Sequence, residues 1–466
     1  MLFNSFDFLL FFSVVFVVQR VLPHRLRNLF LLAASCFFYA CWNWKFLGLV
    51  WITICTDYFV SRQIEQTEDL KTRKRWLTLS CCINLGILGF FKYANFFAES
   101  ATTLIQDIGL PVHPVVLKIV LPVGISFYTF QSMSYTIDVY RCRMPALRNL
   151  FDYALYVTLF PQMVAGPIER GVHLATQIHR KTIPSSEDLQ QGSWLVLKGL
   201  FKKSVMADNL AIFADQVFSG EPANGLEVLL GTYAFAFQIY GDFSGYTDIA
   251  RGVGRMMGYD FMLNFKRPYF ATDPSDFWQR WHISLSSWLR DYLYIPLGGN
   301  RGTTLATCRN LMITMLLGGL WHGAAWNFVI WGAFHGLLLT GFRLLGRRAV
   351  PSCLTLLWWF QVFLMFHLTC VGWLIFRVSS VAQLGAMAGS LCSGWQLSAF
   401  AAQALWCLLI LALPVMLMQL CEEVSGNSSI VQRFSIVPRA AVYLTMMTAI
   451  LTLGSFGGRE FIYFQF

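Results

Sequence analysis

The sequence predicts an all-α protein that crosses a lipid bilayer many times. Of its 466 residues, 56% are hydrophobic and only 13% are charged, about half the charged fraction of an average soluble domain. The longer apolar runs approach or reach the roughly 20 residues that a crossing needs, and we expect about 11 to 13 membrane segments, one or two of them re-entrant. The runs are Phe8–Val18, Leu29–Trp42, Phe46–Val60, Trp76–Phe97, Val115–Ser126, Gly192–Leu200, Ala401–Leu420 and Ala440–Gly454.

Positive charge alternates between successive loops. The loops Arg20–Asn28, Arg62–Arg75 and Arg141–Asn149 carry three, five and three Lys or Arg residues, whereas Trp42–Lys45 carries one and Glu99–Pro114 none. This alternation predicts an N-terminus outside and the basic loops in the cytoplasm. Because these basic residues flank helices and form no stripe, the net charge of +10 does not indicate nucleic-acid binding.

The chain divides into three zones within a single membrane domain, residues 1–466. Residues 1–140 read as five helices with short loops, and the first of these, Phe3–Val21, lacks the flanks of a cleavable signal and is expected to be retained. Residues 141–310 are less regular, with turns and polar stretches between shorter apolar runs. Residues 311–466 return to long apolar helices.

The stretch DPSDFWQRWHISLSSWLRDYLYIPLGGNRG, residues 273–302, places polar residues in an aromatic setting. Helical spacing brings four aromatic residues near one face, which predicts an amphipathic helix in the membrane interface. His282 lies where this helix would meet the core, and in PLGGNRG the backbone amides and Arg301 form a candidate anion site. The four aromatic residues are Phe277, Trp281, Trp288 and Tyr292.

The stretch GGLWHGAAWNFVIWGAFHG, residues 318–336, is apolar but contains two histidines. An ionisable ring in hydrocarbon costs several kcal/mol unless it is paired or faces water. On one continuous helix His335 would lie about 220° around from His322, so His335 is expected to be structural. For His322, a structural hydrogen bond and a base that deprotonates a hydroxyl near pH 7 fit equally well.

Two other chemistries lack support in the sequence. No GxSxG segment or Ser-His-Asp order indicates a serine acyl-enzyme. None of the 12 cysteines forms a CxxC pair, and no spacing suits zinc, so we expect no metal site.

Long segments with fixed spacing carry a resemblance to a known family. They resemble the membrane-bound O-acyltransferases, within that family the branch of bacterial alginate O-acetyltransferase membrane subunits, and the likeness extends from the opening MLFNS to the closing REFIYFQF. The segments are LPVGISFYTFQSMSYTIDVYR (121–141), FPQMVAGPIER (160–170), YGDFSGYTDIARGVGRMMGY (240–259), FWQRWHISLSSWLRDYLYIPLGGNR (277–301) and MLLGGLWHGAAWNFVIWGAFHG (315–336).

The resemblance implies a ring of membrane helices around a thinned centre pierced by a tunnel. It also implies transfer of an acetyl group from a cytosolic donor, acetyl-coenzyme A, towards a periplasmic polysaccharide across the bacterial inner membrane. The family's invariant histidine maps onto His322 and a second, more variable polar position onto His282. His322 is then expected to be the general base or to organise the acyl site, with His282 orienting it or polarising the thioester carbonyl.

Several further residues are candidates for the same site. Trp321, Trp326 and Asn327 are expected to shape the cavity, and Arg290 and Asp291 to form either an internal ion pair or contacts to the coenzyme. Two intramembrane acids, Asp242 and Asp248, fit a functional role and structural pairing about equally.

Two other functions and several substrates stay open at this point. The chain fits a transporter or flippase of an acyl carrier or lipid-linked sugar, although it shows no inverted repeat, and also a scaffold for periplasmic proteins. The polymer is open among alginate, acetylated cellulose, another exopolysaccharide and peptidoglycan. Because no segment outside the membrane is long enough for a glycan-binding domain, we expect a periplasmic or membrane-anchored acetyltransferase partner and a polysaccharide synthase or export complex.

Overall fold

Helices make up the regular secondary structure of the described residues in this computed structural model, which cover 1–113, 117, 119–164, 166–180, 183–220, 224–346, 352–456, 459 and 461–462. The α-helices are α1 (Phe6–Val21), α2 (His24–Asn43), α3 (Leu47–Gln66), α4 (Leu70–Leu88), α5 (Ala94–Asp107), α6 (Ile125–Tyr140), α7 (Leu150–Thr158), α8 (Phe160–Met163), α9 (Thr176–Ile178), α10 (Ser186–Leu200), α11 (Asp208–Ser219), α12 (Gly225–Met256), α13 (Pro274–Arg280), α14 (Ile283–Leu289), α15 (Thr304–His322), α16 (Trp326–Leu344), α17 (Leu356–Arg377), α18 (Val381–Cys392), α19 (Ala399–Cys407), α20 (Leu413–Ser425) and α21 (Ile436–Leu453).

Five helical stretches of the described residues are long and apolar enough to cross a bilayer. Large apolar side chains stand exposed along them, such as Phe363 at 63% and Leu451 at 79%, as expected where lipid is the solvent. The expected 11 to 13 segments exceed this number, because some of the other helices are too short, such as α1 and α6 with 16 residues each, and others are long enough but less apolar, such as α12 with 32 residues. The chain is a multi-pass membrane protein. The five stretches are His24–Gln66, Leu70–Asp107, Leu356–Arg377, Ala399–Ser425 and Ile436–Leu453.

The chain folds as two compact units. The first comprises residues 1–193 and 250–262, and the second comprises residues 194–249 and 263–466. In the first unit, α4 and α5 are joined by a π-helical turn, Gly89–Tyr93. The described residues up to Tyr140 contain the six α-helices α1 to α6, and α2 and α3 are likewise joined by a short 3-10 turn, Trp44–Phe46.

Side-chain caps begin several of these helices where the sequence turns polar. The carboxylate of Asp69 accepts hydrogen bonds from the backbone N–H groups of Lys71 and Thr72 and starts α4. The hydroxyl of Ser5 does the same for α1, accepting from Phe8 N–H at 3.2 Å. The capped start of α4 fixes the α3–α4 turn within the basic loop that we expect in the cytoplasm.

The charge alternation yields a topology prediction that two exposed positions can test. Cysteine placed at Glu68, in the α3–α4 turn, should resist a membrane-impermeant thiol reagent applied from the periplasm, and cysteine placed at Gln106, on α5, should react. The wild-type chain, with its 12 native cysteines, gives the background. Labelling at Glu68 but not at Gln106 would invert the topology.

Candidate active site

The histidine-rich stretch of residues 318–336 forms two helices. His322 is the last residue of α15, and α16 begins at Trp326, with Gly323 and Ala325 extended between them. A Cβ on Gly323 would collide with the ring of Phe328, and one on Gly319 or Gly332 would collide with backbone of the facing helix. These glycines let α15 and α16 pack closely as a hairpin. The expectation of one continuous helix was therefore wrong.

His322 lies inside a cluster of aromatic rings in the second unit. Only 4% of its surface is exposed. Its ring centroid is 5.0 Å from that of Trp331, 5.1 Å from Trp321 and 5.4 Å from Phe376, each in an edge-to-face arrangement. Three helices, α15, α16 and α17, thus enclose the imidazole in an apolar setting.

His282 lies at a break in what the sequence suggested was one interfacial helix. Helix α13 ends at Arg280, α14 begins at Ile283, and His282 adopts a left-handed conformation with φ of 44°. It is fully buried, with 0% exposure, and Phe277 and Trp281 are each 1% exposed. The single continuous helix was therefore wrong, and three of its residues, Phe277, Trp281 and His282, pack in the core of the second unit. A location in the membrane interface stays a prediction.

Asn264 fixes both the position and the tautomer of His282. The Asn264 Oδ1 atom accepts a hydrogen bond from the backbone N–H of Ser284, which identifies it as the amide oxygen. The same oxygen lies 3.0 Å from Nδ1 of His282, so Nδ1 carries the hydrogen of the neutral ring and Nε2 carries the lone pair. The backbone N–H of Ile283 also donates to the Asn264 carbonyl at 2.9 Å.

Trp321 lies against both histidines. Its ring centroid is 5.9 Å from that of His282 and 5.1 Å from that of His322. The structure therefore brings together the two histidines that the sequence selected from segments forty residues apart. Two buried histidine side chains that contact the same tryptophan ring can accept and donate a proton beside a substrate.

His335 belongs to the same ring cluster. Trp331 contacts it at 4.7 Å and also contacts His322, so the two histidines share a neighbour. Phe277 stacks on His335 at 6.1 Å, and a Cβ on Gly372 would lie 2.8 Å from its Nε2. The expected 220° separation was wrong because the helix ends at His322. The close contacts of His335 with Trp331, Phe277 and Gly372 are those of a structural side chain.

Asn327 holds the wall of the site, whereas Trp326 does not. The Nδ2 atom of Asn327 donates to the carbonyl of Phe376 at 3.1 Å and to that of Val378 at 2.9 Å. These bonds fasten the end of α17, and with it the ring that covers His322. Trp326 is 58% exposed at the start of α16, so most of its ring lies outside the buried cluster.

Replacing Asn327 by Leu should weaken both the fold and the site. The substitution leaves two buried carbonyls unsatisfied, each worth about 1–3 kcal/mol. It also frees Phe376 to shift against His322, and a displacement of ~1 Å in a catalytic site costs up to about 10²-fold in rate. Polymer acetylation and the unfolding temperature in detergent measure the two effects.

Thr340→Val is the matched control for that substitution. Thr340 is also a buried polar residue of α16, but its hydroxyl bonds only to carbonyls of its own helix. Wild-type activity and stability in the Asn327 variant, or an equal loss in both variants, would contradict a positioning role for Asn327.

A cavity of about 650 Å³ opens beside the ring cluster. Trp278 lines it and also contacts Trp331 and His335 of the ring cluster. Arg290 lines the cavity and pairs with Asp291 at 2.8 Å, but its side chain is 63% exposed, so the pair is not internal and contacts of these residues to the coenzyme stay a prediction. The cavity is also lined by the polar residues Ser275, Gln279, Ser286, Ser287 and Thr314.

The candidate anion turn has the expected backbone but an exposed cation. Gly298 and Gly299 have positive φ values of 112° and 56°, and Asn310 Nδ2 donates to the Gly299 carbonyl at 3.1 Å. Arg301 is exposed in this turn, and its backbone N–H donates to the Gly298 carbonyl. The turn is thus fixed, but the structure does not bring Arg301 to the histidines.

Sequence reasoning missed a buried anchor beside His282. Asp242 pairs with Lys203 at 2.9 Å and accepts a hydrogen bond from the backbone N–H of Ile462 at 2.7 Å. Phe461 packs on Phe243, whose ring lies 4.6 Å from that of His282. The acids Asp242 and Asp248 are thus structurally paired, the latter with Lys202. Of the closing REFIYFQF segment, Glu460 and residues 463–466 lie outside the described residues.

Comparison with known proteins shows which family the chain resembles. Residues 37–384 match the membrane-bound O-acyltransferase family. The chain is 40% identical to a probable alginate O-acetylase of Pseudomonas putida, with both chains fully covered. It is 47% identical to a probable alginate O-acetylase of Azotobacter vinelandii, over 82% of this chain and 76% of the relative. A peptidoglycan O-acetyltransferase of Helicobacter pylori is 36% identical, over 82% and 78%.

Proposed function

The chain belongs to the membrane-bound O-acyltransferase family, and on that premise we propose that it moves an acetyl group from cytosolic acetyl-coenzyme A across the bacterial inner membrane for O-acetylation of a polysaccharide. That it is a membrane O-acyltransferase of polysaccharides follows from the family and from relatives named as O-acetylases, so the flippase and scaffold alternatives fall away. The names of the relatives favour alginate or a related exopolysaccharide as the polymer.

The observation that carries this proposal is the contact of His282 and His322 with one Trp321 ring. A thioester is already activated, so an enzyme needs to orient it, deprotonate the acceptor hydroxyl and stabilise the developing oxyanion. His322 is assigned as the base: it takes the hydroxyl proton as the oxygen attacks the acetyl carbon, and it returns that proton to the departing thiolate.

His282 is assigned an orienting role. Since its Nδ1–H is directed to Asn264, the neutral ring offers an acceptor at Nε2. An acceptor can hold the incoming hydroxyl or a protonated partner, but it cannot donate to a thioester carbonyl. This favours orientation over carbonyl polarisation.

The cavity lined by Trp278 and Arg290 suits the arm of the donor. Its volume of about 650 Å³ lies within the range of ordinary small-molecule sites. Hydroxyl and amide side chains along it can bond to the amides of a pantetheine chain, and the cationic Arg290 attracts phosphate at an exposed position.

Thiol release from acetyl-coenzyme A by the purified chain tests this proposal. We expect slow hydrolysis in detergent, and incorporation of labelled coenzyme A into acetyl-coenzyme A if the acetyl group is held on a second carrier. A membrane protein of another family, purified in the same way, gives the background of free thiol. If the chain releases no more thiol than this background, although the cells it was purified from acetylate their polymer, acetyl-coenzyme A is not the donor.

A further inference from the structure

The first unit contains a second cavity, of about 420 Å³, that the proposed reaction does not use. It lies at the connection between α1 and α2. The start of α10 with the residues before it, and Met257, complete the lining. The polar side chains that line it include Gln19, Arg20, His24 and Arg27. No carboxylate occurs among the described residues that line this cavity, so its polar side favours a negatively charged group.

Two of these side chains have a buried atom without a hydrogen-bond partner among the described residues. Gln19 is 95% buried, and its Oε1 atom has no hydrogen-bond partner among the described residues. The Nδ1 atom of His24 is also buried without a partner there. Buried polar atoms are almost always satisfied, by protein, water or ligand, so this pair points to an occupant of the cavity. The amide oxygen of Gln19 only accepts, so it suits a hydroxyl group or a water molecule beside the phosphate, whereas the His24 nitrogen can donate to a phosphate oxygen when it carries a hydrogen.

The two arginines have distinct positions around the cavity. Arg27 is 5% exposed, and its guanidinium donates to the Tyr259 hydroxyl at 2.8 Å and lies 5.3 Å from that ring, so its orientation is fixed. Arg20 is exposed and lies over the Phe16 ring at 4.2 Å. Arg27 is therefore fixed in the wall of the cavity, whereas Arg20 lines the cavity with an exposed side chain.

The remaining lining is apolar, with Leu22, Ile183, Leu189 and Met257. A site with cations on one side and apolar surface on the other fits an amphiphile with a phosphate group. Basic pockets between membrane helices on the cytoplasmic side bind anionic lipid headgroups, and the loop Arg20–Asn28 has the charge expected of that side.

We propose that this cavity binds the phosphate group of an amphiphilic phosphate ester, at a site separate from the histidine cluster. An anionic phospholipid headgroup and the phosphates of a coenzyme A thioester share this chemistry. The proposal does not rest on the proposed function, because a lipid would occupy the site whatever reaction the protein catalyses.

Binding by the full-length purified protein tests the proposal with two probes. Native mass spectrometry counts retained phosphatidylglycerol, which has a net negative charge, against phosphatidylcholine, whose phosphate charge is balanced by its own ammonium group. Equilibrium dialysis measures coenzyme A. Arg20→Gln and His24→Gln should each weaken retention of the phosphate probe, by about fivefold for the arginine, given ~1 kcal/mol per cation. Ser186→Trp narrows the cavity, alters no charge and should weaken retention as well.

Arg25→Gln is the matched control, because Arg25 is exposed in the same loop and is not among the residues that line the cavity. It should leave retention unchanged. Selective loss of phosphatidylglycerol identifies a lipid headgroup, and selective loss of coenzyme A identifies the coenzyme. If the wild-type protein retains neither probe, or if Arg25→Gln weakens retention as much as Arg20→Gln, the cavity is not a phosphate site.

Discussion

Replacing His322 by Ala should abolish polymer acetylation while the protein stays in the membrane at near-normal abundance. The substitution removes the group assigned as base, and loss of a catalytic acid or base costs on the order of 10²–10⁴ in rate. Folding should lose less, because Ala also removes a polar ring from an apolar enclosure. The acetyl content of the polymer and the amount of membrane protein, measured in the same cells, separate the two effects.

His335→Phe provides the matched control. His335 is buried in the same ring cluster and shares Trp331 with His322, and Phe preserves an aromatic ring in that packing. We expect its acetylation to stay close to that of the wild type. Substantial acetylation by the His322 variant, or a loss that only follows disappearance of the protein, would refute the assignment of the base.

We also expect polymer acetylation to depend on a second protein. The chain in liposomes with acetyl-coenzyme A should leave added polymer essentially unacetylated, because its described residues are helices and short connections that offer no separate glycan-binding domain. Adding a periplasmic or membrane-anchored acetyltransferase from the same cells should restore the product. Complete acetylation by the chain alone would show that no relay is needed.

The membrane class and the choice of histidines could be read from the sequence, because apolar composition and a costly polar ring are local signals. The breaks that shape the site could not. No glycine or proline lies near His282, and its left-handed conformation is held by Asn264, eighteen residues earlier in the chain. A search for helix periodicity therefore continues through Arg280 and Ile283 as if nothing interrupted them.

Long-range contacts hid the rest of the site. Phe376 contacts His322 from the end of α17, and Asn327, some fifty residues away in sequence, bonds to the Phe376 carbonyl. The Asp242 anchor depends on Lys203 and on the backbone of Ile462. Neither arrangement has a periodic or compositional signature, so each appears only once the helices have packed.

A double-mutant cycle tests most directly whether His282 and His322 act on one chemical step. The rate of thiol release from acetyl-coenzyme A would be measured for the purified wild type, His282→Ala, His322→Ala and the double variant. Residues that act as a unit are strongly non-additive, so the double variant should be about as slow as His322→Ala alone. If the two losses instead multiply in the double variant, the histidines act independently and the shared site is wrong.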